Sequence, residues 1–207
     1  MLKWLTHLDK QKIEEVSKLH HHLLPHSPIP QLGKGFMNNF FYKDLIRQNL
    51  INCLVYIEKE TVVGFVVTTK YPQNFMSKGI IRSPIKLAST LIISILKKPV
   101  RLLIVLKIIL LALARGSSNI PRETTEIISI GVKKEFRNHV ISNSSLKISS
   151  IIFLEILNSL KSRNEKFLQV ITEKNNKRAI KFYKKMGMVL TESELSSHKD
   201  ILFRLTL

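Results

Sequence analysis

The stretch NNKRAIKFYKKMG, residues 175–187, is the part of the sequence that decides the fold. At helical spacing, one stripe of it contains Asn176, Ala179, Ile180 and Tyr183. Gly187 follows where a helix would end in a left-handed C-cap. A stripe that served packing alone would favour Leu or Ile over Asn and Tyr. The stretch predicts a helix and leaves two interpretations open: a core-facing helix with a partly buried Tyr, or a helix that contributes to a site.

The composition indicates a globular chain. Its 207 residues are enough for a full core, and we assign residues 1–207 to a single domain. Hydrophobic residues make up 44% and charged residues 23%, which excludes a disordered chain. The single cysteine, Cys53, excludes an intramolecular disulfide and a cysteine-based metal site. The start, MLKWLTHLDKQ, lacks the basic region and apolar core of a signal peptide, so we expect a cytoplasmic protein.

The net charge is +18, from 33 Lys and Arg against 15 Asp and Glu. Such an excess attracts anions, which include nucleic acid, anionic lipid and phosphate-bearing small molecules. The basic residues are spread along the chain, so charge alone selects none of these partners. The sequence shows no basic recognition helix and no aromatic platform, and we therefore expect no nucleic-acid partner.

The amino-terminal third predicts a strand, two helices and a hairpin. The strand covers residues 2–6, and Asp9 would cap the helix that follows it. A Pro/Gly loop leads to a second helix at 36–48. Two β-rich runs then stand only two residues apart, NCLVYIE (52–58) and TVVGFVVTTK (61–70), which is the pattern of a hairpin.

The carboxyl-terminal part predicts alternating strands and helices. The strands cover residues 125–132, 166–172, 188–193 and 200–207. A helix at 145–162 follows the first of them. One face of that helix would carry Leu146, Ser149, Phe153, Leu157 and Leu160. The resulting order, β, α, α, β, β, insertion, β, α, β, α, β, β, indicates a mixed α/β sheet.

Residues 71–122 form an insertion between the hairpin and the next strand. They contain two apolar helical candidates divided by Pro99, SPIKLASTLIISILKKP and VRLLIVLKIILLALARG. A transmembrane span needs about 20 mostly apolar residues. The runs are cut short of that by Lys97, Lys98, Pro99, Arg101 and Lys107. We expect two amphipathic helices that pack on the domain or form a lid, and a basic contact with a membrane surface is the alternative.

Two motifs surround the strand at 125–132. EIISIGVKKEFR (126–137) is followed by a helix, a strand and NNKRAIKFYKKMGM (175–188). Together they resemble the GNAT superfamily of acyl-CoA-dependent N-acetyltransferases, in which an Arg-bearing loop precedes an Asn-x-x-Ala-x-x-Phe-Tyr-x-x-x-Gly helix. The match covers 123–189, and the order of elements extends it over the whole chain. Residues 19–46 are similar to a GNAT branch with a Leu-Gly-x-x-Phe segment and a helical insertion before the central strand.

The resemblance implies a GNAT-like mixed, mostly antiparallel sheet flanked by helices, with an inserted helical pair. It also implies acetyl-CoA as co-substrate. The strand Ile128–Val132 would splay from its neighbour and pair with pantetheine, and the loop after it would cradle pyrophosphate. Cofactor contacts would come from Ile130, Gly131, Val132, Arg137, Asn138, Ser142, Ser144, Ser145, Asn176 and Ala179.

The phosphate loop departs from the family pattern. In RNHVISNSSLK, Arg137 matches, but Val140 and Ser142 stand where the family has glycines, and the stretch before the helix is several residues longer. Glycine allows close approach of the backbone to a ligand. Ser144 and Ser145 would then cap the helix and donate hydroxyl groups in place of the glycine backbone.

The resemblance also implies two catalytic residues. Tyr183 corresponds to the residue that protonates the departing CoA thiolate, and a phenol suits this because its reference pKa of about 10 lies above the thiol value of about 8.5. Glu126, near the start of the central strand, is the candidate base that deprotonates an amine, directly or through water. The alternative for Glu126 is an exposed glutamate on a strand.

The remaining polar residues give weaker indications. A cluster contains His20, His21, His22 and His26. We expect no metal site there, because consecutive helical residues point in different directions and no acidic residue accompanies them. By family position this segment borders the acceptor pocket. Cys53 is expected in the core, and the sequence contains no Ser-His-Asp motif, Walker loop or dinucleotide fingerprint.

The leading hypothesis is an acetyl-CoA-dependent N-acetyltransferase that acts by direct transfer to a primary amine of a small molecule. A GNAT-fold protein that binds CoA or another ligand without catalysis is one alternative, and a peripheral membrane-associated acyltransferase is another. The branch resemblance points to an amino sugar or another small amine as acceptor, and a protein amino terminus stays open.

Overall fold

The computed structural model describes residues 1–116, 120–141, 145–191 and 200–207, with the backbone alone at 111–116. The strands are β1 (Leu2–Trp4), β2 (Asn52–Glu58), β3 (Thr61–Thr69), β4 (Thr124–Val132), β5 (Val140–Ile141), β6 (Leu146–Lys147), β7 (Phe167–Glu173), β8 (Val189–Thr191) and β9 (Asp200–Thr206). The helices are α1 (Lys10–Leu23), α2 (Pro28–Gln31), α3 (Leu45–Arg47), α4 (Phe75–Arg82), α5 (Pro84–Lys97), α6 (Arg101–Gly116), α7 (Ile148–Lys161) and α8 (Lys177–Lys185). A π-helix at Phe36–Asp44 runs directly into α3.

Among the described residues, seven strands form one sheet in the order β1-β2-β3-β4-β7-β9-β8. Every described pair of neighbours in this sheet is antiparallel except β4 and β7, which are parallel. These are the seven strands that the sequence predicts, so the predicted mixed, mostly antiparallel sheet is confirmed. Strands β5 and β6, which were not predicted, pair with each other in the loop before α7.

The predicted hairpin between β2 and β3 is confirmed, and its turn has a clear physical cause. Lys59 and Glu60 both have positive φ, 44° and 63°. Two such residues in succession form a turn whose twist matches the right-handed twist of the strands it joins. The strands on either side pair from Asn52↔Thr68 to Glu58↔Thr61.

Each face of the sheet has its own core, because successive strand residues point to opposite faces. On β3, Phe65 belongs to the core that contains α1 and the π-helix, while Val66 belongs to the core that contains α7. The second core also receives Tyr183 from α8. The sheet is therefore a central layer covered by helices on both sides.

Two local predictions are wrong. Helix α7 begins at Ile148 instead of residue 145, because Leu146 and Lys147 form the strand β6. Its buried face consists of Ile148, Ile152, Phe153, Ile156 and Leu160, so only two residues of the predicted face are correct. Asp9 stands at the N-cap position of α1, but its carboxylate accepts hydrogen bonds from the Thr6 backbone and hydroxyl instead of capping the helix.

The described part of the insertion contains three helices, where the sequence analysis predicted two. The additional one, α4, lies so close to α3 that a Cβ on Gly79 would overlap the Leu45 side chain. Pro84 then begins α5, a position where proline is well tolerated, and Pro99 separates α5 from α6 as predicted. Inward-facing residues such as Leu91 and Ile104 pack on the first core, so the predicted packing on the domain is confirmed for one side of each helix.

No single helix in the described part of the chain is both long and apolar enough to cross a membrane. Helices α4 and α5 meet the length and composition criteria only when taken together, and they are bent by 100° relative to each other.

Candidate active site

Strands β4 and β7 diverge at the centre of the sheet. They pair in parallel from Thr124↔Phe167 to Ile127↔Val170 and not beyond. Past that point β4 stays paired with β3 as far as Val132, and β7 stays paired with β9 as far as Glu173. The two strands are therefore held by different neighbours, and we call the stretch beyond Ile127 and Val170, where they do not pair with each other, the opening.

A β-bulge marks the start of the divergence. Val67 of β3 pairs with Ser129, whereas the next residue, Thr68, pairs with Ile127, so Ile128 is an extra residue on β4. A bulge of this kind bends its strand and increases its twist, which carries the rest of β4 away from β7. In the described part of the chain, no strand pairs with Ile128–Val132 on the side of the opening. This segment can therefore accept an extended ligand as an additional strand.

Glu126 lies one residue before the last β4–β7 pair and is only 2% exposed. The alternative of an exposed strand glutamate is therefore wrong. The Gln169 side chain donates a hydrogen bond to its carboxylate at 2.8 Å, and Arg204 donates to the Gln169 oxygen at 3.1 Å. The three residues are aligned across β4, β7 and β9. A buried carboxylate is costly unless it has hydrogen-bond donors, and this row supplies one.

Helix α8 has the form that the opening stretch predicts. Gly187 follows it with φ +80°, and the Met188 and Gly187 amides donate to the carbonyls of Tyr183 and Lys184, which is a Schellman motif. The Tyr183 ring is 4% exposed and packs against the Phe203 and Phe182 rings. Burial raises the pKa of its hydroxyl well above the usual value. Tyr183 is therefore a protonated, packed phenol at neutral pH.

Asn176 and Ala179 are joined by a hydrogen bond at the start of α8. The Asn176 side-chain oxygen accepts from the Ala179 amide at 3.2 Å, so Asn176 is the N-cap of the helix. Its side-chain nitrogen makes no hydrogen bond within the described chain. Asn176 is exposed and Ala179 half-buried. The stripe of the sequence analysis thus contains a helix cap, a half-buried small residue and a buried Tyr.

The strand residues predicted to contact cofactor lie along the part of β4 that pairs with β3 but, within the described chain, has no partner strand on its other side. Val132 is buried, whereas Ile130 and Gly131 are half-buried. Gly131 also has a packing role, because a Cβ there would lie 2.8 Å from Leu23 Cδ1 and 3.0 Å from Phe65 Cε1. The absence of a side chain therefore lets α1 approach β4.

The loop after β4 carries several cations. Arg137 donates from Nε to the Val132 carbonyl at 3.0 Å, which fixes its guanidinium beside the end of β4. Burial and the nearby Arg178 lower the pKa of Arg137, and Glu135 opposes them. Arg178, in the first turn of α8, is a residue that the sequence analysis missed. Lys147 donates to the Asn138 side chain at 3.1 Å.

The predicted serine cap of α7 is wrong for Ser145. The N-cap position belongs to Lys147, which makes no side-chain cap hydrogen bond. Ser145 instead has φ +53° and donates its amide to Ile141 within the β5–β6 hairpin. Ser142 and Ser144 lie outside the described residues.

A buried hydrogen-bonded group links α1 to β4. One ring nitrogen of His20 is 2.8 Å from the Tyr42 hydroxyl, and the other is 3.1 Å from the Ser129 hydroxyl, immediately after the bulge. Burial lowers the pKa of His20 to about 3, with a smaller contribution from His21. His20 is therefore neutral, and its role here is structural. His21 bonds the Pro30 carbonyl, and the described residues contain no group of three or more His, Cys, Asp or Glu placed to hold a metal ion.

The sequence matches no protein-family model and no curated protein, but the structure resembles solved N-acetyltransferases. The ribosomal-protein-alanine N-acetyltransferase from Brucella melitensis has a TM-score of 0.58 at 10% identity, over 100% of this chain and 99% of that one. A GNAT-family acetyltransferase from Streptococcus pneumoniae has a TM-score of 0.55 at 12% identity, over 100% of this chain and 99% of that one. PaiA N-acetyltransferase from Thermoplasma acidophilum, in complex with coenzyme A, has a TM-score of 0.54 at 11% identity, over 100% of this chain and 99% of that one. The chain therefore has the GNAT fold, which confirms the resemblance at the level of the fold.

Proposed function

We propose that this GNAT-fold chain is an acetyl-CoA-dependent N-acetyltransferase that transfers an acetyl group directly to a primary amine. The observation that carries the proposal is the divergence of β4 and β7 at the Ile128 bulge, with Glu126 buried beside it. A gap in the middle of a sheet leaves backbone hydrogen-bonding groups without strand partners, which is costly unless a ligand or water binds them. An extended pantetheine arm has the shape and the amide groups to do so.

The residues around the opening fit acetyl-CoA. Arg178 lies close enough to Arg137 to lower its pKa, and an anion between the two guanidinium groups would relieve this repulsion. The amino terminus of α7, with Lys147 before it, adds backbone amides and a further positive charge for phosphate oxygens. A solved neighbour is in complex with coenzyme A. These cations would compensate for the missing glycines of the loop.

Two residues would move protons. Glu126 would take a proton from the amine, directly or through water, as the nitrogen forms its amide bond to the acetyl carbon. The bond from that carbon to sulfur breaks, and the thiolate would receive a proton from Tyr183. Because burial raises the pKa of Tyr183, the phenol is protonated at neutral pH and carries the proton to be donated. Asn176 would donate its free amide nitrogen to the pantetheine arm, beside the small Ala179.

The proposed acceptor is the primary amine of a small molecule, with an amino sugar as the first class to test. Acidic acceptors suit the net charge of +18, and phosphate-bearing amines are therefore included. A cytoplasmic location, where acetyl-CoA is available, is part of the proposal. The fully buried, free Cys53 is compatible with a reducing compartment.

One observation favours a second function, a protein that binds CoA or another ligand without catalysis. Residues 133–147 contain no glycine, and a short hairpin lies where the phosphate loop would bend around pyrophosphate. If side chains there obstruct the phosphates, the opening would hold the pantetheine arm without the geometry for transfer.

The test combines binding and turnover. Calorimetry at low salt measures the affinity for CoA, and release of free thiol from acetyl-CoA is followed with a library of amino sugars, phosphorylated amines, polyamines and peptides. Amine-dependent thiol release with an acetylated product in the mass spectrum supports the transferase. Binding of CoA without turnover on any amine supports the second function in its CoA-binding form. The absence of CoA binding overturns the transferase and leaves only the binding of another ligand.

A further inference from the structure

The insertion concentrates the exposed apolar surface of the protein. Among the described residues, 18 large hydrophobic side chains are exposed, and 11 of them lie between Ile81 and Leu110. Soluble monomers seldom expose a large contiguous apolar surface without a partner for it. We call the exposed apolar side chains of α5 and α6, from Ile85 to Leu110, the insertion face.

The helices of the insertion are apolar on both sides. On α5, Leu87 and Leu91 point inward to the first core. On the other side, Ile92 is 57% and Leu96 78% exposed. Helix α6 repeats the pattern, with Ile104 packed inward and neighbouring leucines exposed. A surface helix in water normally carries charged or polar residues on its outer side. These two helices therefore have an outer surface suited to an apolar environment.

The charge around the insertion face has a single sign. No Asp or Glu occurs between Glu60 and Glu123, while the same segment contains ten Lys and Arg. Four of these lysines lie on α5, α6 and the connection between them. Lys86 forms an ion pair with Asp44, which leaves three: Lys97, Lys98 and Lys107. Within the described chain, none of the three has a carboxylate partner. They are available to an external anion.

A basic cleft adjoins the insertion face. It has a volume of about 520 Å³, lies between the π-helix and α5, and is lined by Lys43, Lys97 and Arg101 together with the exposed Ile93. The Nε of Arg101 is buried there and bonds to no described residue. A lipid could bind here with its phosphate group among the cations of the cleft and its acyl chain against Ile93.

We propose that the insertion face docks the protein onto a bilayer that contains anionic phospholipids. Apolar side chains would enter the interface while the lysines contact headgroup phosphates, the arrangement by which amphipathic helices bind a membrane surface. A second copy of this chain would bring the same cations and the same lack of acidic residues, so charge opposes it. The proposal does not depend on the acetyltransferase activity.

The test measures sedimentation with vesicles of phosphatidylcholine, with and without phosphatidylglycerol. The wild-type chain is expected to bind only the anionic vesicles. The variant I92Q/L96Q/L103Q/L106Q is expected to partition at least about tenfold more weakly, because burial of each leucine or isoleucine contributes to binding. Its matched control, L8Q/L154Q/V189Q/L190Q, changes exposed apolar residues elsewhere and should bind like the wild type.

The charge is tested by K97Q/K98Q/K107Q, with K161Q/K181Q/K184Q as control. Each lysine near an anionic surface contributes about fivefold to partitioning, so the first variant should bind about 100-fold more weakly. The depth to which the insertion face enters the bilayer is measured with an environment-sensitive fluorophore on Leu103→Cys. This cysteine is labelled selectively because Cys53 is fully buried. Anionic vesicles should shift its emission to the blue and leave a label on Leu190→Cys unchanged.

Four results would overturn the proposal. The wild type does not sediment with anionic vesicles at low salt, or the control variant loses as much binding as the insertion variant. A third such result is that K97Q/K98Q/K107Q loses binding while I92Q/L96Q/L103Q/L106Q binds like the wild type, which shows a purely electrostatic contact. Finally, ultracentrifugation shows a dimer that the insertion variant abolishes while vesicles bind neither form, which assigns the face to self-association.

Discussion

Strand β4 and helix α5 are both apolar in sequence, yet their surroundings differ. None of the nine residues of β4 is exposed, and six of them are buried. In α5 the only buried residue of fourteen is Ser94, whose hydroxyl bonds the Leu32 carbonyl. Hydropathy in a sequence shows that a segment needs an apolar neighbour, but not whether the chain itself provides it. The strand is covered by its own protein, whereas the helix also presents apolar side chains outward.

The largest expected effect is on turnover, from a change at Glu126 in the buried strand β4. Glu126→Gln removes the proposed base and keeps an oxygen that Gln169 can bond. Turnover is expected to fall by about 10²–10⁴-fold, since general base catalysis contributes in that range. Steady-state kinetics and CoA calorimetry measure the change. Glu60→Gln, an exposed carboxylate on the turn between β2 and β3, is the control and should leave turnover unchanged. A normal rate in Glu126→Gln, with chemistry shown to limit turnover, would remove Glu126 from the mechanism.

The next effect is on stability within the same strand. Ile127 is 2% exposed in the second core, and Ile127→Ala leaves a cavity there. The free energy of unfolding is expected to fall by about 2–5 kcal/mol. Urea denaturation with Ile127→Val as the milder comparison measures this. A loss below about 1 kcal/mol would show that β4 is less well packed than its burial indicates.

Tyr183→Phe removes the proposed proton donor and keeps the ring packing. Turnover is expected to fall by about 10²-fold, the lower end of the range for general acid catalysis, because water can also protonate the thiolate. CoA affinity should change little. Since burial raises the Tyr183 pKa, the wild-type rate should not decline through ionisation of this phenol below its reference pKa of about 10. Tyr56→Phe serves as control, and an unchanged rate in Tyr183→Phe would leave Tyr183 with a packing role alone.

His20 makes stability depend on pH. Its pKa is about 3 in the folded chain against 6.5 as the ordinary value, so below about pH 6.5 the unfolded chain binds a proton that the folded chain does not. Stability must therefore fall as pH falls, by about 2 kcal/mol between pH 7 and 5. Urea titrations at several pH values measure the slope. In His20→Gln the slope should disappear, and an equal slope in that variant would assign it to another group.

The smallest effect completes the comparison with Ile127. Ile109 on α6 is 43% exposed, and Ile109→Ala in the absence of lipid should change the free energy of unfolding by less than about 0.5 kcal/mol. The same chemical change thus has a large effect in the strand and nearly none on the helix. A loss comparable to that of Ile127→Ala would mean that α6 is covered by protein in solution, for example by a second copy.

Much of the fold was predictable, because it depends on local patterns. The Lys59–Glu60 spacing located the hairpin, and Asn176 and Gly187 delimited α8. The burial of Glu126 was not predictable, since it depends on Gln169 and Arg204 from strands far away in sequence. The bulge at Ile128 has no local signature for the same reason. For the insertion, the sequence left packing on the domain and contact with a membrane surface both open, because hydropathy does not show which side of each helix the domain covers.

The order of the sheet also bears on aggregation. Within the described residues, its two edges, β1 and β8, have three residues each, while the other strands of the sheet have seven to nine. An edge strand exposes backbone groups that can recruit a strand from another molecule, and short edges limit this. A chain that exposes so many leucines and isoleucines on helices therefore offers little template for β-sheet growth. Its exposed apolar surface can persist without leading to fibrils.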